Sequence, residues 1–472
     1  MSFISIWFVL FVLLLNLVFY CVPVKYRNMV LVAGSLLFVL LYSKVAVCWL
    51  FFSTIVAFVY GLICKKEKVR GCRTFLLAII VVLLLPLIIL KYWLHGRPTV
   101  FSEMIVPIGI SFYTLSLISY VIDVYKGKYH AENCFKNFFL FTAFFPQIVQ
   151  GPIARYDKLS KTLFDEHKFN YQKYTCGWQL ILWGYVLKFV VADKAGVMVN
   201  TVYENYPDLQ GLYIVTAVLL YSIQLYADFN GCVNIAIGVA QTFGIELQPN
   251  FRQPYFADSI QDFWRRWHMT LSSWLKDYIY IPLGGNRKGE ARKYLNLLLV
   301  FCVSGIWHGV GLTYLLWGFL HALYQVAGGI TKNKGKKQLD RRQSTVRKTI
   351  KICITFLLVT FAWMLFRAEN ISQFAEMVKG IFSTWNPEVI LDGDAYYKMG
   401  LSRLQTVPLA IGIILIFVSD VFHEKGISVR QWIATRPTPV RWGIYLMTVL
   451  TVLIFGTYGP AYADNQFIYG RF

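Results

Sequence analysis

The sequence predicts an all-α polytopic membrane protein, and three features support this fold class. The chain of 472 residues is 57% hydrophobic and only 15% charged, whereas charged residues make up about 25% of a typical soluble domain. Apolar runs of roughly 20 residues, the length that spans a bilayer as a helix, recur along almost the whole chain. Basic and acidic residues are concentrated in different loops, as expected for loops on opposite sides of a membrane. One integral-membrane domain is therefore predicted over 1–472.

The apolar runs predict the individual spans in order. Single spans are expected at Phe3–Val22, Met29–Tyr42, Val45–Ile63, Phe75–Leu94, Ile105–Ile122, Gly177–Val199, Leu212–Gln241, Ile352–Phe366, Thr406–Phe422 and Gly443–Tyr458. A further segment, Leu295–Ile330, is long enough for two shorter helices. Together these segments give roughly 10–12 transmembrane helices.

Two of the apolar stretches contain residues that break helices. One is Phe138–Pro152, which we expect to dip into the membrane and return on the same side, and the other is the hairpin 295–330. The breaking residues are Pro146, Gly151 and Pro152 in the first, and Gly305, Gly309 and Gly311 in the second. Irregular backbone at membrane depth survives only where protein or a water-filled cavity surrounds it. A central cavity near these segments is therefore predicted.

The charge distribution orients the chain. Residues 64–73 hold five Lys/Arg and one Glu, and residues 332–351 hold nine Lys/Arg and one Asp. Both should be cytoplasmic, whereas loop 369–405, with five Asp/Glu and three Lys/Arg, should be external. The net charge of +21 is explained by such loops, because no sizeable segment could fold as a soluble basic domain. The expected partner is the lipid bilayer and not a nucleic acid.

The segment Asp262–Arg287, DFWRRWHMTLSSWLKDYIYIPLGGNR, predicts an amphipathic helix over about 262–280. Its apolar residues, Trp264 among them, recur at helical spacing, which suits the cytoplasmic surface of a membrane. His268 lies on this apolar face, where a histidine is either a functional group or a satisfied structural one. Arg265 and Arg266 point elsewhere, and either attract the phosphates of an acyl donor or simply hold the loop on the cytoplasmic side.

The segment Ser304–Gly311, SGIWHGVG, places His308 about 12 residues into an apolar run. At 1.5 Å per residue the imidazole would lie about 18 Å deep, more than halfway through a core of ~30 Å. An ionisable group at that depth is a candidate functional residue, and a neutral imidazole suits a general base. The alternative is a helix-packing histidine. Trp264, Trp307 and His321 are candidates for lining the same cavity or orienting the acceptor.

Polar residues also interrupt the apolar run YADFNG, Tyr226–Gly231. Asp228 and Asn230 either line a cavity or bond helix to helix. No GxSxG elbow, P-loop or dinucleotide fingerprint occurs, and the nine scattered cysteines include no CxxC pair, so no metal site is predicted.

Taken together, these stretches resemble the membrane-bound O-acyltransferase (MBOAT) family. They are most similar to the branch that contains the alginate O-acetyltransferase membrane subunit and the teichoic-acid D-alanyl transfer protein. The matching stretches run from about residue 100 to the C-terminus, and their joint occurrence in this order is specific. They are VPIGISFYTLSLISYVIDVY (106–125), FFPQIVQGPIARY (144–156), YADFNG, the WRRWH-to-PLGGNR stretch, SGIWHG and the terminal FIYGRF.

The resemblance implies a ring of membrane helices around a tunnel through the bilayer. It implies that His308 corresponds to the family's nearly universal catalytic histidine, and His268 to the second family histidine. It also implies that an activated acyl group arrives from the cytoplasm, leaves on the opposite side, and is often passed on by an accessory acyltransferase protein. The terminal FIYGRF has a Gly-Arg pair where aromatic and polar residues are common in this branch.

We therefore expect a bacterial plasma-membrane acyltransferase without a bound cofactor. Its donor would be an acyl-CoA or carrier-protein thioester, its acyl group most readily acetyl, and its acceptor an extracytoplasmic polysaccharide or other envelope polymer. One alternative is D-alanyl transfer to teichoic acid from a carrier protein. Another is a transporter of envelope precursors, against which we note that the sequence shows neither an inverted repeat nor paired intramembrane charges.

Overall fold

The described part of the chain folds only into helices. The computed structural model describes residues 3–65, 72–93, 109–335, 344–387, 389 and 394–457, and its regular elements there are α-helices, short 3₁₀ turns and π turns. The predicted all-α class is therefore confirmed. Much of the two basic loops, part of the acidic loop, the first residues of 106–125 and the terminal FIYGRF lie outside the described residues, so the predicted orientation stays a prediction.

The described helices follow the predicted apolar runs closely. Their bounds are Ile6–Cys21, Arg27–Tyr42, Lys44–Ile63, Arg73–Ile88, Ile110–Tyr125, Phe135–Ala143, Phe145–Ile148, Tyr156–Leu163, Tyr171–Tyr185, Asp193–Glu204, Leu212–Thr242, Ile260–Arg266, Met269–Leu275, Glu290–His308, Leu312–Gly335, Thr345–Arg367, Ile371–Ser383, Asp394–Lys398, Arg403–Glu424, Val429–Ala434 and Thr438–Phe455. The 3₁₀ turns are Val24–Tyr26 and Pro254–Phe256, and the π turns are Ile89–Trp93, Val186–Ala192 and Lys276–Tyr280.

Several of these helices are long and apolar enough to cross a membrane. Within the described ranges, 7 spans meet both conditions, and Ile6–Cys21 and Ile110–Tyr125 are shorter apolar helices. The predicted hairpin over 295–330 is also confirmed as two helices, Glu290–His308 and Leu312–Gly335. The chain is therefore a multi-pass membrane protein.

The described residues form two compact units. One comprises residues up to Leu182 together with Cys232–Pro249, and the other comprises Trp183–Gly231 and the chain from Asn250 onward. The first unit contains Phe138–Pro152, the stretch expected to dip into the membrane. It is almost entirely buried, and its helix is interrupted at Phe144 (φ −52°, ψ 107°). The broken backbone is thus surrounded by protein, as irregular structure at membrane depth requires.

In the second unit, Glu290–His308 and Leu312–Gly335 form a hairpin that we call the His308 helix and the Trp317 helix. Glycines let the two backbones approach closely, as small residues do between membrane helices. A Cβ added at Gly305 would lie 2.3 Å from the carbonyl oxygen of Tyr314, and one at Gly318 would lie 2.2 Å from that of Phe301. Both helices therefore hold their aromatic and histidine side chains at a fixed separation.

This close approach predicts that Gly318→Ala destabilises the protein, because the new methyl group meets backbone that cannot rotate away. Overpacking of this kind typically costs about 1–3 kcal/mol. Gly329 lies on the same helix, and a Cβ added there would meet the Tyr294 side chain at 3.4 Å, an ordinary van der Waals contact, so Gly329→Ala is the matched control. Thermal unfolding in detergent should show a lower Tm for Gly318→Ala only. Equal Tm values for the two variants would contradict the hairpin geometry.

The single amphipathic helix predicted over 262–280 is wrong. The segment is divided into Ile260–Arg266, Met269–Leu275 and a π turn, and the break falls at His268, whose φ of 42° is left-handed. Asn250 stabilises the break, since its backbone oxygen accepts from the N–H of Met269 at 2.9 Å and its side chain accepts from the N–H of Thr270 at 3.1 Å. The helical spacing of the apolar residues continues across the break, which is why the sequence did not disclose it.

The apolar stripe of this segment packs inside the second unit. The buried Trp267 lies 5.1 Å from Trp363 and 5.0 Å from Phe251 between ring centroids, and Leu271 and Trp274 are buried as well. The stripe is therefore explained by burial in the protein. Whether the segment also lies along the cytoplasmic membrane surface stays a prediction.

Candidate active site

His308 ends the His308 helix inside a cluster of aromatic rings. The helix stops because Gly309 is fully extended (φ −168°, ψ 172°), so the imidazole projects from the last helical turn. Only 2% of His308 is exposed. Its ring centroid lies 4.8 Å from that of Trp307, 5.2 Å from that of Trp317 and 5.4 Å from that of Phe366. Aromatic rings from three positions along the chain thus pack around this imidazole.

His268 occupies the break between two short helices and is also buried, with 1% exposed. It is one of two non-glycine residues with positive φ among those described, the other being Gln253. Such conformations persist only where the surroundings impose them, and they concentrate at functional sites. Its ring contacts Phe229 at 4.8 Å and Trp307 at 6.1 Å between centroids. Burial among apolar rings lowers the pKa of His268, so this imidazole is held neutral.

Trp307 connects the two histidines. Its half-buried ring lies 4.8 Å from the ring of His308 and 6.1 Å from the ring of His268 between centroids. Two histidines from separate sequence motifs are thus brought to a single indole in the second unit. This convergence supports the prediction that both belong to one site.

His321 and Trp264 form the next layer of the cluster. Trp264 donates from Nε1 to Nδ1 of His321 at 3.3 Å. Because an indole nitrogen can only donate, Nδ1 of His321 must accept, and a neutral His321 carries its proton on Nε2. Trp317 lies between the two histidines of its hairpin, 5.0 Å from His321 and 5.2 Å from His308.

Asp228 is paired with a cation in the structure. Nζ of Lys188 lies 2.8 Å from Oδ1 of Asp228 and 2.8 Å from Oδ1 of Asp193, and all three side chains are buried. Lys188 belongs to the π turn Val186–Ala192. Asn230 is half-buried on the same helix as Asp228, and Phe229, between them in sequence, contacts His268. Asp228 therefore stabilises a buried ion cluster close to the site.

The ion cluster corrects one expectation from the sequence. The expected lack of paired intramembrane charges, which counts against a transporter, is wrong, since Lys188 and Asp193 lie within the predicted span Gly177–Val199 and are paired. The sequence does not show the pairing of Lys188 with Asp228, because Asp228 comes from another helix, whereas Lys188 and Asp193 lie five residues apart in one span. His308 is a candidate because it is an ionisable residue deep in an apolar run. The same argument applies to Lys188 in this span.

Other residues of the site gave no signal in the sequence. Trp363 and Phe366 line the aromatic cluster from the helix Thr345–Arg367, where they are ordinary members of an apolar run. On the basic side, Arg266 is paired with Asp262 at 2.7 Å and with Glu424, whereas Arg265 is exposed. Of the two arginines suggested for donor binding, Arg265 is the one that the surface presents.

The fold and this buried pair of histidines define the class as a multi-pass membrane protein with a buried histidine site. The model of the MBOAT, membrane-bound O-acyltransferase, family matches residues 36–374, and the chain belongs to this family. It is accordingly a membrane-embedded acyltransferase. The matched residues include both motifs that contain a candidate histidine, SGIWHG and WRRWH.

Named relatives agree with this assignment. A protein of Pseudomonas fluorescens named "Probable alginate O-acetylase AlgI" is 34% identical over 76% of this chain and 76% of its own length. The peptidoglycan O-acetyltransferase of Helicobacter pylori is 35% identical over 59% of this chain and 57% of its own. The teichoic acid D-alanyltransferase of Bacillus subtilis is 28% identical over 70% of this chain and 86% of its own.

Proposed function

We propose that this protein transfers an acyl group, most readily acetyl, from a cytoplasmic thioester to a hydroxyl of an extracytoplasmic envelope polymer. The donor would be an acyl-CoA or a carrier-protein thioester, and the location the bacterial plasma membrane. The observation that supports this most is the meeting of His308 and His268 at Trp307 inside an aromatic cluster. The relatives named as O-acetyltransferases favour acetyl and a polysaccharide or cell-wall acceptor, since their identity of 34–35% exceeds the 28% of the D-alanyltransferase.

His308 would act as the general base of the transfer. A hydroxyl is a poor nucleophile until its proton is removed, and general-base assistance is worth roughly 10²–10⁴-fold. The proton of the acceptor hydroxyl passes to the imidazole while the hydroxyl oxygen forms a bond to the carbonyl carbon of the thioester. The carbon–sulfur bond then breaks, and the thiolate takes the proton from the imidazolium. His268, neutral and in contact with Trp307, would orient the acceptor or the acyl group.

Where the polymer itself cannot reach His308, an accessory acyltransferase protein outside the membrane would pass the acyl group on to it.

The second candidate function is D-alanyl transfer to teichoic acid. It is favoured by the match to the Bacillus subtilis D-alanyltransferase over 86% of that protein. It would require a carrier protein as donor, whereas acetyl transfer would not.

The expected result in cells is loss of one ester from one envelope polymer when the protein is removed. Polysaccharides and teichoic acids from a deletion strain and its complemented parent would be compared by mass spectrometry, which separates acetyl from D-alanyl esters. Loss of acetyl esters supports the first function and loss of D-alanyl esters the second. Unchanged esters with an altered distribution of envelope precursors would contradict both and support a transporter.

A further inference from the structure

Three hydrogen-bond donors in the aromatic cluster around Trp317 are buried with no acceptor among the described residues. They are Nε1 of Trp317, Nε1 of Trp363 and Nε2 of His321, and all three side chains are 0% exposed. A buried polar group without a partner costs about 1–3 kcal/mol, so native proteins rarely retain one without a reason. Three in one cluster are therefore informative about what the cluster binds.

All three groups can only donate. An indole N–H has no lone pair to offer. His321 uses Nδ1 to accept from Trp264, which leaves its proton on Nε2. A ligand group that satisfies them must accept hydrogen bonds and needs no proton of its own.

The three rings are mutual neighbours. Between ring centroids, Trp317 lies 5.0 Å from His321 and 5.6 Å from Trp363, and His321 lies 6.1 Å from Trp363. Trp317 is also the member that contacts His308, at 5.2 Å with the two rings perpendicular. Trp317 therefore adjoins the proposed base, and the rings of His321 and Trp363 adjoin Trp317.

We propose that this group of donors, with Trp317 foremost, binds the carbonyl oxygen of the thioester and stabilises the negative charge that forms on it. This inference rests on the proposed function and assigns a carbonyl-binding site to it. When the hydroxyl oxygen attacks the carbonyl carbon, the π electrons move to the carbonyl oxygen, and the proton goes to His308. When the C=O double bond forms again, the carbon–sulfur bond breaks. The thiolate takes the proton from the imidazolium of His308 and leaves as the thiol. Fixed donors in a buried site are the arrangement that such an oxyanion requires.

The acceptor hydroxyl is the other oxygen of the reaction, and it fits these donors less well. It has to give its proton to His308, and N–H donors on its oxygen would withdraw the electron density needed for attack. The negative charge of the transition state develops on the carbonyl oxygen instead. Donor-only groups next to the base therefore match the carbonyl.

The test uses the purified full-length protein in lipid vesicles, with acetyl-CoA and its dithioester analogue as donors. Trp317→Phe retains most of the ring and removes the N–H. We expect its kcat with acetyl-CoA to fall about 100-fold or more, with KM changed little. The C=S group of the dithioester accepts hydrogen bonds poorly. The ratio of the rate with acetyl-CoA to the rate with the dithioester should therefore be smaller for the variant than for the wild type. A purely structural role of Trp317 would not change this ratio.

Trp274→Phe is the matched control, since Trp274 is a buried tryptophan that packs on Tyr278 outside the cluster. Trp363→Phe provides a second variant with the same readout if Trp317→Phe does not fold. An unchanged oxygen-to-sulfur ratio in the folded variant would overturn the inference and indicate that water or aromatic faces satisfy the donors. If the wild type transfers nothing from acetyl-CoA, the proposed acetyl-CoA donor fails, and the carbonyl site falls with it.

Discussion

Replacing His308 with alanine is expected to reduce acyl transfer to the envelope polymer by about 10²–10⁴-fold. In whole cells, the O-acyl content of the polymer should then fall to background. The imidazole is the only group in the motif SGIWHG that can accept a proton near neutral pH. Its loss leaves a small cavity between aromatic rings, so the variant should still fold and insert. The measurement is the O-acyl content of the polymer in cells that express equal amounts of each variant.

Asparagine and glutamine are the controls for shape at this position. Both fill part of the space and form hydrogen bonds, but neither amide can take a proton from a hydroxyl. We expect both to be as inactive as alanine. His268→Ala should be milder, because that residue would orient a substrate and not take its proton. Acylation close to normal in His308→Ala would eliminate His308 as the base and strengthen the transporter alternative.

Replacing Lys188 with methionine is expected to destabilise the protein strongly, by about 3–5 kcal/mol. Methionine resembles lysine in length and packs in the same space, but it removes the ammonium that lies 2.8 Å from each of the buried carboxylates of Asp193 and Asp228. Breaking a buried ion pair costs far more than losing a surface contact. Yield of folded protein and Tm in detergent would measure the effect.

Removing the carboxylate charges of Asp193 and Asp228 together with Lys188 should restore the fold. The triple variant Lys188→Met, Asp193→Leu, Asp228→Leu removes the three charges of the cluster, and replacing a whole buried ion cluster by apolar residues of similar volume is often nearly neutral. Acyl transfer by this variant would then separate two roles of Asp228. Recovery of both stability and activity assigns the cluster to structure alone, whereas recovery of stability without activity keeps Asp228 as a functional residue. Normal stability of Lys188→Met alone would contradict the ion pairing.

The local patterns of the sequence were accurate where the governing physics is local. The span predicted at Leu212–Gln241 is the helix Leu212–Thr242, and the hairpin predicted over 295–330 breaks at Gly309–Gly311. A bilayer fixes the length and apolar character of each span independently of the other spans. At 262–280 the same approach failed, because a single left-handed residue at His268 divides the helix without disturbing its apolar spacing.

The sequence by itself determined the membrane class, the positions of the spans and the two histidine motifs, since each depends on residues that are neighbours along the chain. Only the tertiary structure decided which of these motifs lie together. It brought His268 and His308 to Trp307, added Trp363 from an otherwise ordinary apolar helix, and paired Asp228 with Lys188. The reason is physical. Burial demands partners for polar and charged groups, and those partners come from distant segments that packing alone brings together.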